Sequence, residues 1–308
     1  MAGEGGMSLP IYEMRDPRFL DCAVLYTPME EIASGCLWTE GPVWFADHGC
    51  LLFSDIPNAR ILRWMPGAGV SVYREPSGYA NGHTRDREGR LVSCEHGGRR
   101  VVRTEADGSL TVIAAAHGGR RLNSPNDVVV KSDGSVWFSD PDYGILSDYE
   151  GYRAEREQDG CFVYRADPVT GAVEAVVRDF ARPNGLCFSP DEAVLYVAES
   201  GASHDPGVAP VIRRFAVTER GLSGGEVFAV IENGMPDGIR CDARGNLWSS
   251  AGDGVHVFAP DGVLLGKILV PQRVANLCFG GPRRNRLFIT ATRSVYTVLT
   301  AATGAQVP

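Results

Sequence analysis

The chain has 308 residues, 44% of them hydrophobic, and its 30 Lys and Arg stand against 38 Asp and Glu, a formal net charge of −8. That acidic balance excludes nucleic acid as a partner, since phosphate binding needs clustered basic residues and the pairs Arg99-Arg100 and Arg120-Arg121 read as solvated turns. No apolar run reaches the ~18 residues of a membrane span and no signal-peptide core opens the chain, so a soluble, cytoplasmic protein without membrane contact is expected.

In chain order, residues 1–29 read as an N-terminal extension. Residues 1–10 are expected to be disordered, and a helical turn is expected at Asp16-Pro17-Arg18-Phe19-Leu20. Residues 30–308 read as one domain. From Glu30 onward, short apolar runs alternate with turns such as Asp107-Gly108, Asp133-Gly134 and Asp261-Gly262, which supply the positive φ that tight hairpins need. No amphipathic helix of three turns intervenes, so hairpin follows hairpin and the sheets are antiparallel.

One polar residue returns at the same place in a repeated unit. It is Glu40 before Gly41, Asn81 before Gly82, Asn126 before Asp127, Asn184 before Gly185 and Asp237 before Gly238. Each is followed by an apolar run, a turn and a second apolar run. A sixth copy, Ala275-Asn276-Leu277-Cys278-Phe279, reads as lacking the polar residue. Six units that are all strand and turn predict an all-β, six-bladed β-propeller. Glu30-Glu31-Ile32-Ala33 is expected to supply the outermost strand of the last blade and so remove a free edge. Two units carry polar insertions, at 142–160 and 200–210, which read as candidate lids. The 8 cysteines include no C-x-x-C pair and sit in apolar runs, as small buried hydrophobes do.

On a propeller axis the recurring side chains converge. Glu40, Asn126, Asn184 and Asp237 offer oxygen only, two donors anionic and two neutral, which suits a hard divalent cation: Ca²⁺ first, with Mg²⁺, Zn²⁺, Mn²⁺ and Fe²⁺ as alternatives. Pro125, Pro183 and Pro236 precede three of them and fix φ at the strand start. Asn81 is in register and is expected to touch substrate. His83, two residues on, is expected on the same face. His96 could line the same pocket or cap a turn. Ser200, His204 and Asp205 mimic a triad but lack a nucleophile elbow. Gly221-Leu222-Ser223-Gly224-Gly225 matches G-x-S-x-G formally and reads as a hairpin turn, with no helix to follow.

These motifs resemble the gluconolactonase/regucalcin (senescence marker protein) family. The likeness lies in Glu40-Gly41-Pro42-Val43-Trp44, Ser124-Pro125-Asn126-Asp127, Arg182-Pro183-Asn184-Gly185-Leu186 and Met235-Pro236-Asp237-Gly238. Asn81 through Arg100, with Cys94-Glu95-His96-Gly97, is similar to the bacterial gluconolactonase-like members. The resemblance implies one divalent cation held by Glu40, Asn184 and Asp237, with Asn126 a fourth ligand or a substrate contact. It also implies hydrolysis of a sugar lactone such as glucono-1,5-lactone. In the mechanism expected to follow, Asp237 accepts a proton from the attacking water and Asn81 and Asn126 hydrogen-bond the sugar hydroxyls. Animal members carry Arg where this chain has Ser124, so the sugar contacts differ. The small lactone is the expected partner, and the chain is expected to be a monomer or homodimer. The rival readings are a phosphotriesterase of the diisopropyl fluorophosphatase kind and a non-catalytic calcium-binding propeller.

Overall fold

The computed structural model describes residues 11–219 and 221–307; the expected disorder of residues 1–10 lies outside them. Among the described residues the strands form six sheets of four or five strands and one two-stranded ribbon, Ala116–His117 with Arg120–Arg121. The inner strands are Thr39–Phe45, Ala80–Arg85, Val128–Val130, Pro183–Phe188, Ile239–Cys241 and Val274–Gly280. They neighbour one another in that order, and the sixth returns to the first. The fold is a six-bladed β-propeller.

Closure is made as the sequence led us to expect. Glu30–Ala33 pairs antiparallel with Ser294–Leu299 and completes the sixth blade. A second closure was not read from the sequence: Tyr12–Met14 adds a fifth strand to the fifth blade, against Leu264–Leu269. The expected turn is a 3₁₀ helix, Pro17–Asp21, whose Phe19 is fully buried among Trp248, Val257 and Leu265.

Each hydrophobic cluster is a seam between neighbouring blades. Leu51, Phe53 and Trp64 of the first blade meet Cys278 and Phe288 of the sixth, and Trp44 stacks on Phe288 at 5.2 Å. Val92, Val101, Phe138 and Tyr164 join the second and third blades. A sheet covered on both faces favours nearly continuous apolar strands, which explains runs such as Cys50–Asp55, buried at every position. Each such Leu or Phe contributes roughly 1.5–3 kcal/mol by leaving water. All eight cysteines are buried free thiols. Gly221–Val230 is the outer strand of the fourth blade, not the turn expected at Gly221-Gly225: pairing with Val211–Thr218 overrides the weak strand preference of its glycines.

The lower end of the axis is crossed by the C-terminal residues. Ala305 N donates to Cys241 O in the fifth blade. Its neighbour Gln306 donates from Nε2 to Thr84 Oγ1 in the second blade at 2.6 Å. Those blades stand opposite each other, so the tail spans the tunnel's diameter.

Candidate active site at the upper mouth of the channel

The recurring polar step falls on irregular backbone. Ladder register shifts between Glu40 and Val43, Ala80 and His83, and Pro183 and Leu186. In the third and fifth blades the inner strand starts only after Asn126-Asp127 and Asp237-Gly238. A bulge leaves a residue outside the ladder and re-aims its side chain. Hydroxyls of the second strands hold this backbone: Ser54 Oγ donates to Asn81 O, Ser139 Oγ accepts from Asp127 N, and Ser250 Oγ accepts from Asp237 N. Neighbouring blades also bond directly here, Gly82 N to Asn126 O at 2.8 Å and Gly185 N to Asp237 O at 3.0 Å. The glycine is needed for this approach. A Cβ on Gly185 would stand 2.1 Å from Asp237 O.

Glu40 is buried, and its Oε2 accepts from Gly41 N at 2.8 Å and from Asn276 Nδ2 at 3.0 Å. Burial pushes its carboxyl well above the usual range, and the Asp237 charge pushes it further. Asp237 is raised to about 7 by burial; Asp127 and Glu150 add to this, and Arg273 and the Asn184 amide oppose it. Asn184 therefore turns its NH₂ toward Asp237. Among the described residues its Oδ1 is buried without a partner, a costly state unless something fills the gap. Among the described residues no group of three or more His, Cys, Asp and Glu is placed to hold a metal. The ring itself is made of two acids, Glu40 and Asp237, and the neutral amides of Asn126 and Asn184.

The remaining expected residues are placed as follows. Asn126 is buried at the ring, its N donating to Ser139 O. Asn81 Nδ2 lies 3.1 Å from His96 Nε2. His96 is fully buried, held low at about 4 by that burial, and its Nδ1 faces Glu150 O at 3.1 Å. His83 has both ring nitrogens engaged, Nε2 with Ser54 Oγ and Nδ1 with Ser93 Oγ, each at 2.8 Å. The bulge at Asn81-Gly82 breaks the alternation by which His83 was expected to face the channel. Burial drives its pKa down to about 3. Ser200, His204 and Asp205 do not form a triad. Ser200 Oγ donates to Pro236 O, His204 Nδ1 meets Ser203 Oγ, and Asp205 Oδ1 accepts from Gly207 N.

Both insertions lie over the ring and meet. Tyr143 O–H reaches Ser200 O at 3.0 Å and Ser203 Oγ at 2.9 Å, and Arg182 pairs with Asp142 at 2.7 Å. Tyr152 packs edge-on against Tyr79 at 5.2 Å. Ser124 is buried; it donates to Pro141 O and accepts from Gly144 N, fastening the start of the first insertion. Below the ring, Arg240 Nη1 pairs with buried Asp127 Oδ2 at 3.2 Å.

A family model described as the SMP-30/Gluconolactonase/LRE-like region matches residues 38–293. The chain belongs to this family. Among members of the SMP-30/gluconolactonase family, the gluconolactonase of Zymomonas mobilis is 35% identical over 90% of this chain and 83% of its own length. A pentonolactonase of Haloferax volcanii is 30% identical, covering 84% and 83%. The solved structure of a gluconolactonase from Xanthomonas campestris is 34% identical, with a TM-score of 0.89 over 95% of both chains.

Two residues at the site of this family member were missed in the sequence. Asn276 stands one position past the register of the other polar residues, where four units carry Gly and the third carries Asp127, so it did not match the repeat. Glu150 lies inside a polar insertion with no periodicity to mark it. Its carboxyl is raised by burial, and its charge is felt at Asp237.

Proposed function

We propose that this family member hydrolyses a sugar lactone, glucono-1,5-lactone or a related aldonolactone, to the aldonic acid. The observation that carries this reading is the orphaned Asn184 Oδ1, beside Asp237 in the ring that also holds Glu40. Two carboxyls raised by burial and like charge, plus a bare amide oxygen, are a donor set that a hard divalent cation would satisfy. Glu40, Asn184 and Asp237 would hold it, with Asn126 as a further oxygen, and Ca²⁺ is the first choice for carboxylate-and-amide ligation. When bound, the cation supplies Lewis-acid polarisation of the ester carbonyl. The names of the relatives support the lactone as substrate.

The chain's own groups do the rest. Asp237 accepts a proton from water as its oxygen adds to the carbonyl carbon. The proton then goes to the ring oxygen as the ester C–O bond breaks, leaving a hydroxy acid. Asn81 and Asn126 take the sugar hydroxyls. The insertion 142–160 shields the ring from bulk water, with His96 beneath it. His83 supports Ser54, which holds the Asn81 backbone. Eight buried thiols suit a reducing, cytoplasmic setting. Among the described residues no helix is long and apolar enough to cross a membrane.

The test is a panel of aldonolactones and organophosphates, assayed after metal stripping and again after add-back of Ca²⁺, Mg²⁺, Mn²⁺, Zn²⁺ or Fe²⁺. Lactone turnover that disappears on chelation without unfolding, and returns with metal, is expected. Organophosphate turnover without lactone turnover would favour the phosphotriesterase reading. Full lactonase activity in stripped protein would remove the cation from the account.

A further inference from the structure

We infer that His96 is a positioning residue that turns the amide oxygen of Asn81 into the channel, where it accepts a hydrogen bond from a hydroxyl of the sugar ring. The inference rests on the lactone reading above and goes on to how hydroxylated substrates are told from bare ones.

The argument starts from what each atom can do. Glu150 O is a carbonyl and can only accept, so His96 Nδ1, 3.1 Å away, must carry the proton. Burial keeps the ring neutral at physiological pH. Nε2 therefore has no hydrogen and can only accept. The Asn81 group 3.1 Å from it must be the NH₂ and not the oxygen. The imidazole tautomer thus decides which way the amide faces. Asn81 itself sits at the irregular step of its blade, in the ring with Glu40 and Asn126. Among the described residues no donor reaches Asn81 Oδ1, which leaves that oxygen to the channel.

The first insertion locks the imidazole in place. A Cβ on Gly144 would come within 2.5 Å of His96 Cβ and Cγ, so the backbone of the helical turn Tyr143–Leu146 lies directly on the ring. Gly144 N is fixed in turn by Ser124 Oγ at 2.9 Å. The insertion therefore reaches the channel through a rigid strut: Glu150 O, His96, Asn81. An acceptor presented in this way rewards a substrate that brings a hydroxyl, and gives nothing to one that lacks it.

Two substitutions divide the strut. His96→Asn places an amide NH₂ near the position of Nδ1, keeping the bond to Glu150 O and losing the acceptor toward Asn81. His96→Gln places an oxygen near the position of Nε2, keeping the acceptor and losing the other bond. The readout is KM and kcat for glucono-1,5-lactone against δ-valerolactone, the same ring without hydroxyls. His96→Asn is expected to raise KM for the gluconolactone about tenfold, the size of one lost hydrogen bond, with kcat and δ-valerolactone turnover held. His96→Gln is expected to stay near wild type. Asn81→Ala should show the same KM rise, and adding His96→Asn to it should change nothing more.

An equal loss on both lactones, an unchanged substrate ratio in His96→Asn, or an equal defect in His96→Gln would overturn the inference. If the His96 variants do not fold, an unchanged gluconolactone KM in Asn81→Ala overturns it. Wild-type protein inactive on every lactone would instead sink the proposed function.

Discussion

Asn276 Nδ2 donates to Glu40 Oε2 at 3.0 Å across the seam where the sixth blade meets the first. Its Oδ1 accepts from Leu277 N at 2.8 Å, so the amide has one orientation. The blade that carries Ala275 at the repeated polar position thus supplies, one residue on, the group that holds the first ring acid in place.

Asn276→Ala removes that orientation without touching a proposed ligand. Partners of this kind are worth about 10–100-fold in metal affinity, so a loss in that range is expected from calorimetric Ca²⁺ titration. Unaltered affinity would mean Glu40 needs no such support.

Asp237→Asn keeps the shape of the side chain and removes its basicity. Lactone turnover is expected to fall by about 10²–10⁴-fold, with the circular dichroism spectrum unchanged. Undiminished turnover would take the proton-accepting role from Asp237.

Acid should loosen the fold through two histidines. Burial lowers His83 to about 3 and His96 to about 4, both below the ordinary value of 6.5. A lowered histidine binds fewer protons folded than unfolded, so stability rises with pH. The full contribution is present above pH 6.5 and drains away as pH falls toward 4, by roughly 3 kcal/mol per residue. Asp237 and Asp140, each raised by burial to about 7, work the other way over the same range, so the histidine part is read by difference. Between pH 7 and 4 the urea midpoint of His83→Gln should fall less, or rise more, than that of the wild type; an equal change in the two proteins would mean that His83 does not contribute.

Phe19 lies on a segment that the repeat pattern leaves outside the blades, yet it is fully buried at the seam of the fifth and sixth. Phe19→Ala is expected to cost about 3–5 kcal/mol in chemical unfolding. A cost under ~1 kcal/mol would mean that the N-terminal segment is not part of the cooperative unit.

The blades were legible because a strand-turn-strand unit repeats its punctuation: Pro-Asn or Pro-Asp at the step, then Asp-Gly turns. Glu30–Ala33 was legible because the ring must close on something. His83 was harder. Counting two residues along a strand assumes an unbroken ladder, and the bulge at Asn81-Gly82 ends that assumption. Tyr12–Met14 is three residues long and partly exposed, so it carries no periodic signal; only the free edge of Leu264–Leu269 makes it a strand. Glu150 was invisible for another reason. Its place depends on Gly151 fitting against Gly144, where a Cβ would meet Gly144 O at 2.1 Å, a contact that no local pattern encodes.

The crossing of the lower opening by Ala305 and Gln306, tied to blades on opposite sides, straps together two blades that share no seam of their own. At the opposite mouth the two insertions are joined by Tyr143 through its contacts to Ser200 and Ser203, so each end of the axis is bridged by a segment that belongs to no blade ladder.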